Sequence, residues 1–175
     1  MTKTQEKRGR PAKKKRGRPK KIKSTPKVTP KNINITSGNK LSFSDEIFNP
    51  MKMGVEEIDY ILSSNGGIMP ATNLMVAGGA GAGKTTLTLD WLARIQKTGK
   101  KVLFISGEMD QIGYYKYCKR LPSFSEIPVL FLKQHRDTVA ETLDVVFDEG
   151  YDLVLIDSVA EVLEMYRDQK SATRK

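Results

Sequence analysis

Residues Gly78-Gly79-Ala80-Gly81-Ala82-Gly83-Lys84-Thr85 satisfy the spacing G-x-x-x-x-G-K-[ST]. Each part of that pattern suits a phosphate. Glycines let the backbone turn tightly enough for several N–H groups to converge on phosphate oxygens. The Lys84 ammonium fits between β- and γ-phosphates, and the Thr85 hydroxyl is a ligand type for Mg²⁺. Thr86 completes the phosphate-binding set. Two carboxylates can join them. Asp157 ends the apolar run Leu153-Val154-Leu155-Ile156, and Glu108 follows Val102-Leu103-Phe104-Ile105-Ser106-Gly107. Asp157 is the candidate to hold Mg²⁺, directly or through water, and Glu108 the candidate base for an attacking water. Lys84, Glu108 and Asp157 thus form the candidate catalytic set. The blander readings are a Gly-rich turn with a solvated lysine, an aspartate that caps the next segment, and a loop glutamate favoured by a helix dipole.

These residues need a scaffold that brings strand ends together. Asn73-Leu74-Met75-Val76-Ala77 reads as a buried strand entering the loop. Leu87, Trp91, Leu92 and Ile95 recur at helical spacing after it, and Gly99 is a stop signal. Lys101–Ser106 is a second strand. Asp110 is a cap for a helix from about Gln111 to Leu121, which Pro122 stops. Val129–Leu132 is a short strand. Thr138 and Glu141 have capping-box spacing before a helix whose inner face is Val139, Leu143, Val146 and Phe147, ended by Gly150. Strands alternating with helices predict an α/β fold with a parallel sheet covered on both faces, and ligands bind at the carboxyl ends of such strands.

Charge divides the 175-residue chain. Residues 1–40 hold 15 lysines and arginines against one acid, Glu6, whereas the remainder holds 15 basic and 19 acidic residues. The first segment is too poor in apolar side chains to build a core, and its composition predicts disorder in isolation. Within it Arg8-Gly9-Arg10-Pro11 recurs as Arg16-Gly17-Arg18-Pro19, each after a lysine. These repeats resemble AT-hooks. Arginines enter a narrow A·T minor groove because its negative potential is enhanced, and glycine admits the backbone closely. The cores start eight residues apart; fully extended that is about 27 Å, less than one DNA turn of about 34 Å. A non-specific polybasic tail or, in a eukaryotic host, a nuclear-localisation signal remain open readings of the same residues. Residues 22–46 read as a linker.

Other residues carry less. His135 has no Cys or His at metal-ligand spacing, and Cys118, the single cysteine, sits in a helical pattern as a packing residue. Tyr114, Tyr115 and Tyr117 can stack on bases, although helical tyrosines more often line packed faces. No apolar run approaches a membrane span of about 18 residues.

From about Met53 to Ser158 the chain resembles the RecA/RadA/KaiC group of ATPases. Gly54-Val55-Glu56-Glu57-Ile58-Asp59 is similar to that group's short G-x-x-x-[IL]-D helix, Gly66-Gly67-Ile68 to its Gly-Gly-[IL] turn, and Ser106-Gly107-Glu108 to the Ser-Gly-Glu of RadA-like proteins. The resemblance implies a P-loop NTPase with a RecA-like, mainly parallel sheet flanked by helices, occupying residues 41–175 behind the arm of residues 1–40. It implies ATP and Mg²⁺ as cofactors, and ring or filament homo-oligomers that act on DNA in recombination, repair or replication. A nucleoid-associated or cytoplasmic location follows, nuclear if the host is eukaryotic. A DNA-binding regulator with a nucleotide switch, a KaiC-like signalling ATPase and a hexameric-helicase-like ATPase are the alternatives. RadA proteins usually carry a four-cysteine zinc module before the core; here the basic arm occupies that place instead. The chain also lacks, after Asp157, a sensor strand and the DNA-facing loops that would take single strands. The resemblance therefore predicts an incomplete core, either a fragment of a longer protein or a short variant completed by a partner or by oligomerisation.

Overall fold

The computed structural model describes residues 35–173. Both AT-hook-like repeats, with Arg8, Gly9, Arg10, Arg16, Gly17 and Arg18, lie outside the described residues. By its contacts the chain divides into Met1–Ser42 and Phe43–Lys175. The described part of the first unit is a single turn at Gly38–Lys40, closed by the Leu41 N–H on the Gly38 carbonyl at 3.0 Å.

The second unit runs α1 (Glu56–Leu62), α2 (Lys84–Lys97), β1 (Val102–Ser106), α3 (Gln111–Arg120), β2 (Val129–Phe131), α4 (Val139–Asp148), β3 (Leu153–Asp157) and α5 (Val159–Thr173). The three strands form a parallel sheet in the order β2-β1-β3. Central β1 is buried along its whole length, as a strand covered on both faces must be. Its side chains alternate between two cores. Val102 and Phe104 join Leu89, Leu92 and Ile95 of α2 on one face, while Leu103 and Ile105 join Val139, Val162 and Met165 of α4 and α5 on the other. The Phe104 ring lies 5.8 Å from that of Tyr114, tilted by 40°, and the Tyr114 hydroxyl donates to the Phe124 carbonyl at 2.6 Å. Burial pushes the Tyr114 phenol well above its ordinary range, and the neighbouring Cys118 adds to the effect.

Several expectations hold. Asp110 caps α3 by accepting from the Gly113 N–H at 2.7 Å, and α3 ends before Pro122. Three differ. Residues 73–77 join no strand, and Leu74 and Met75 are 47% and 86% exposed. The sheet ends at β3, whose outer edge has no partner among the described residues, and residues 73–77 pair with neither that edge nor any other strand. Thr138 precedes α4 but makes no capping bond; its hydroxyl meets that of Thr142 at 3.3 Å, and Glu141 instead accepts from Gln169 at 2.6 Å. Phe147 is 46% exposed, because only Val139, Leu143 and Val146 of α4 face the sheet.

A buried carboxylate organises the segment that precedes the loop. Asp59 accepts from the N–H groups of Met53 at 2.8 Å and Gly54 at 3.1 Å, and its own carbonyl accepts from Gly67 at 2.7 Å. Gly67 is obligatory at its φ of 136°: a Cβ there would stand 2.5 Å from the Met51 carbonyl oxygen and break the Met51–Ile68 bridge. Asp59→Ala strands a buried N–H and removes two charge-assisted bonds, so it should cost about 2–4 kcal/mol. Urea unfolding checks this: the midpoint should fall at constant m-value, and an unchanged midpoint would remove Asp59 from the account.

Candidate nucleotide site

The loop 78–85 is built by backbone geometry. Gly81 and Gly83 take left-handed φ values of 75° and 85°, which non-glycine residues adopt at a cost. The Ala82 N–H closes a turn on the Gly79 carbonyl at 3.3 Å, and Gly83 is the N-cap of α2 with no side chain to fill its first turn. The unpaired N–H groups at that helix start, together with the helix dipole, favour an anion. Gly78, Gly79, Ala80, Gly81, Ala82 and Gly83 are all exposed, while Lys84, Thr85 and Thr86 are half-buried in the first turn of α2. Lys84 Nζ donates to the carbonyls of Gly78 and Gly79, each at 2.9 Å, which holds the ammonium across the mouth of the loop.

Two sequence-predicted residues separated by 72 positions meet here. Thr85 Oγ1 donates to Asp157 Oδ2 at 2.5 Å. A hydroxyl and a carboxylate in contact are hard oxygen donors of the kind Mg²⁺ takes. Among the described residues no group of three or more His, Cys, Asp or Glu side chains could hold a metal alone. A cation at this pair would need phosphate and water oxygens, the usual manner of Mg²⁺.

Glu108 reaches the same edge through sheet register. Ser106 pairs with Asp157, and the N–H groups of Gly107 and Glu108 point at the Asp157 carbonyl at 2.8 and 3.4 Å. The Glu108 side chain is exposed, and its carboxylate has no hydrogen-bond partner among the described residues. Its own carbonyl accepts from Lys133 Nζ at 2.7 Å.

Three residues beside Glu108 have structural roles that the sequence did not assign, although two of them, Ser106 and Gly107, stand in the Ser-Gly-Glu motif. Buried Ser106 locks the chain around Glu108, accepting from the Met109 N–H at 3.0 Å and donating to the Met109 carbonyl at 2.8 Å. Gly107 lets α5 pass close by, since a Cβ there would lie 3.1 Å from Glu161 Cβ and 3.3 Å from the Ser158 carbonyl. A serine and a glycine closing an apolar strand were the available signals for both. Lys133 had none, because only the fold brings it to Glu108. His135 and Cys118 stand in no metal-binding group among the described residues.

The KaiC ATPase family matches residues 51–123, from the Met51–Ile68 bridge through the loop and Glu108 to just beyond α3. The chain is 32% identical over 110 residues to the DNA repair protein RadA of Mycobacterium tuberculosis, which is 63% of this chain and 22% of the relative. RadA of Listeria monocytogenes is 32% identical over 112 residues, 64% of this chain and 23% of its own length. Protein RecA of Streptomyces rimosus is 35% identical over 98 residues, 54% of this chain and 25% of its own length. The matches thus span about a quarter of each of these relatives.

Proposed function

We propose, from a chain whose core is a RecA-like P-loop ATPase domain similar to KaiC, RadA and RecA, that the protein binds Mg²⁺-ATP and hydrolyses it in association with DNA. The observation that carries this reading is the convergence of Thr85 with Asp157 beside the Lys84 loop. In the proposed site the loop N–H groups and Lys84 hold the phosphates. Thr85 and Asp157 are the residues that would hold Mg²⁺, and the cation would supply neutralisation of phosphate charge. Glu108 orients a water and accepts its proton as the water attacks the γ-phosphorus, while the bond from that phosphorus to the β,γ-bridging oxygen breaks and ADP leaves with the oxygen. Positioning and electrostatics supply most of the rate in such transfers, so a rigid sheet edge is the appropriate platform. A role in DNA repair is supported by the names of the RadA relatives. Phosphate release from Mg²⁺-ATP by the intact chain, with and without DNA, tests the reading. Release that DNA accelerates is expected; ATP binding with no turnover under either condition would favour a nucleotide switch instead.

The arm supplies a DNA tether in this reading, its two Arg-Gly-Arg-Pro cores reading one A·T-rich minor groove, and such ATPases work as rings or filaments. Replacing Arg10 and Arg18 together by alanine should abolish any preference for A·T-rich over G·C-rich duplex while leaving salt-dependent binding through the lysines. Competition between the two duplexes measures this. An undiminished preference would assign the arm to non-specific attraction.

A further inference from the structure

Helix α3 presents a face that neither the nucleotide site nor the core uses. Its ten residues, Gln111–Arg120, include no acid. Tyr114 is buried and Tyr117 half-buried, but Tyr115 is 59% exposed and Ile112 67% exposed. Ile112, Tyr115, Lys116 and Lys119 follow the i, i+3, i+4, i+7 spacing of one helical face, and all four are exposed. The Lys119 ammonium lies 5.1 Å from the centre of the Tyr115 ring, and the Arg120 guanidinium lies 4.9 Å from that of Tyr117. The four ion pairs among the described residues use Arg94, Lys100, Lys101 and Arg136; Lys116, Lys119 and Arg120 take part in none. A surface with three cations unpaired by carboxylates and an exposed aromatic ring between them is complementary to a polyanion that carries flat, stackable groups.

We infer that the outer face of α3 is a binding surface for single-stranded nucleic acid, with a base stacked on Tyr115 beside Ile112 and the backbone phosphates met by Lys116, Lys119 and Arg120. Stacking on a tyrosine needs an unpaired base, which selects single strands over duplex. The surface is distinct from the basic arm and from the nucleotide loop. It does not depend on hydrolysis. Only Met109 and Asp110 separate α3 from Glu108, and both are fixed, by Ser106 and by the Gly113 cap respectively. A strand lying along α3 therefore begins within one helical turn of the proposed catalytic edge.

The test uses the intact chain without nucleotide, so that its outcome is independent of the ATPase reading. The probe is an oligothymidylate of about 12 nucleotides, within the usual span of such sites, bearing 5-iododeoxyuridine for photocrosslinking. The crosslink should map to Tyr115. Tyr115→Ala should weaken binding about tenfold, while Tyr115→Phe, which keeps the ring, should not. Lys116→Ala and Lys119→Ala should each lower the salt slope of binding by about 0.7. Tyr115 is mostly exposed, so unchanged thermal melting of these variants is expected. Crosslinks confined to residues 1–40 with unchanged affinity in Tyr115→Ala would overturn the inference. It would equally be overturned if Tyr115→Ala changed self-association or capture of a polyglutamate peptide while leaving oligonucleotide binding intact.

Discussion

Lys84→Ala should reduce Mg²⁺-ATP affinity about tenfold to a hundredfold and lower turnover by a further factor of about 100 to 1,000. The first figure is the loss of charge-assisted bonds from one ammonium to phosphate oxygens, worth about 1.5–3 kcal/mol. The second reflects charge that grows on the transferring phosphoryl group, where a preorganised donor contributes more than in the ground state. The fold should survive, because the side chain's only protein partners among the described residues are the carbonyls of Gly78 and Gly79 in an exposed loop. Binding calorimetry and phosphate release measure the two effects separately, and circular dichroism confirms the fold. Unaltered affinity would mean that nucleotide does not sit on this loop.

Glu108→Gln should leave ATP affinity within about twofold of the original and cut turnover by about 100-fold to 10,000-fold, the range for removing a positioned general base. Glutamine keeps the shape and the backbone bonds that tie residues 107–108 to Asp157 but cannot accept the proton. A parallel fall in affinity and turnover would assign the residue to binding. Normal turnover would end its assignment as base, and Lys133, which already touches the Glu108 carbonyl, would gain no role by default.

The loop and its two carboxylates were legible because their signals are local. The loop glycines were expected to let the chain turn tightly, and Gly81 and Gly83 do so with left-handed backbone, while Asp157 and Glu108 lie at adjoining strand ends of the parallel sheet. The strand expected at residues 73–77 was not borne out, because apolar character does not make a strand without a neighbour to complete its ladder. The helix after Asp157 was passed over although Val162, Met165 and Tyr166 mark its inner face at helical spacing; the polar residues between them masked that pattern. Phe147 showed the opposite error, an apolar residue at plausible spacing that α4 leaves at its rim. What no local pattern encodes is proximity between distant segments: the Lys133 contact with Glu108 and the close passage of α5 over Gly107 come from the packed sheet.

The measurement that bears most directly on the central claim is calorimetric titration of the intact chain with ATP, in the presence and absence of Mg²⁺. If Thr85 and Asp157 gather the cation beside phosphates on the Lys84 loop, binding should saturate at one ATP per chain and tighten with Mg²⁺. Absence of saturable binding, or an affinity indifferent to Mg²⁺, would contradict the account.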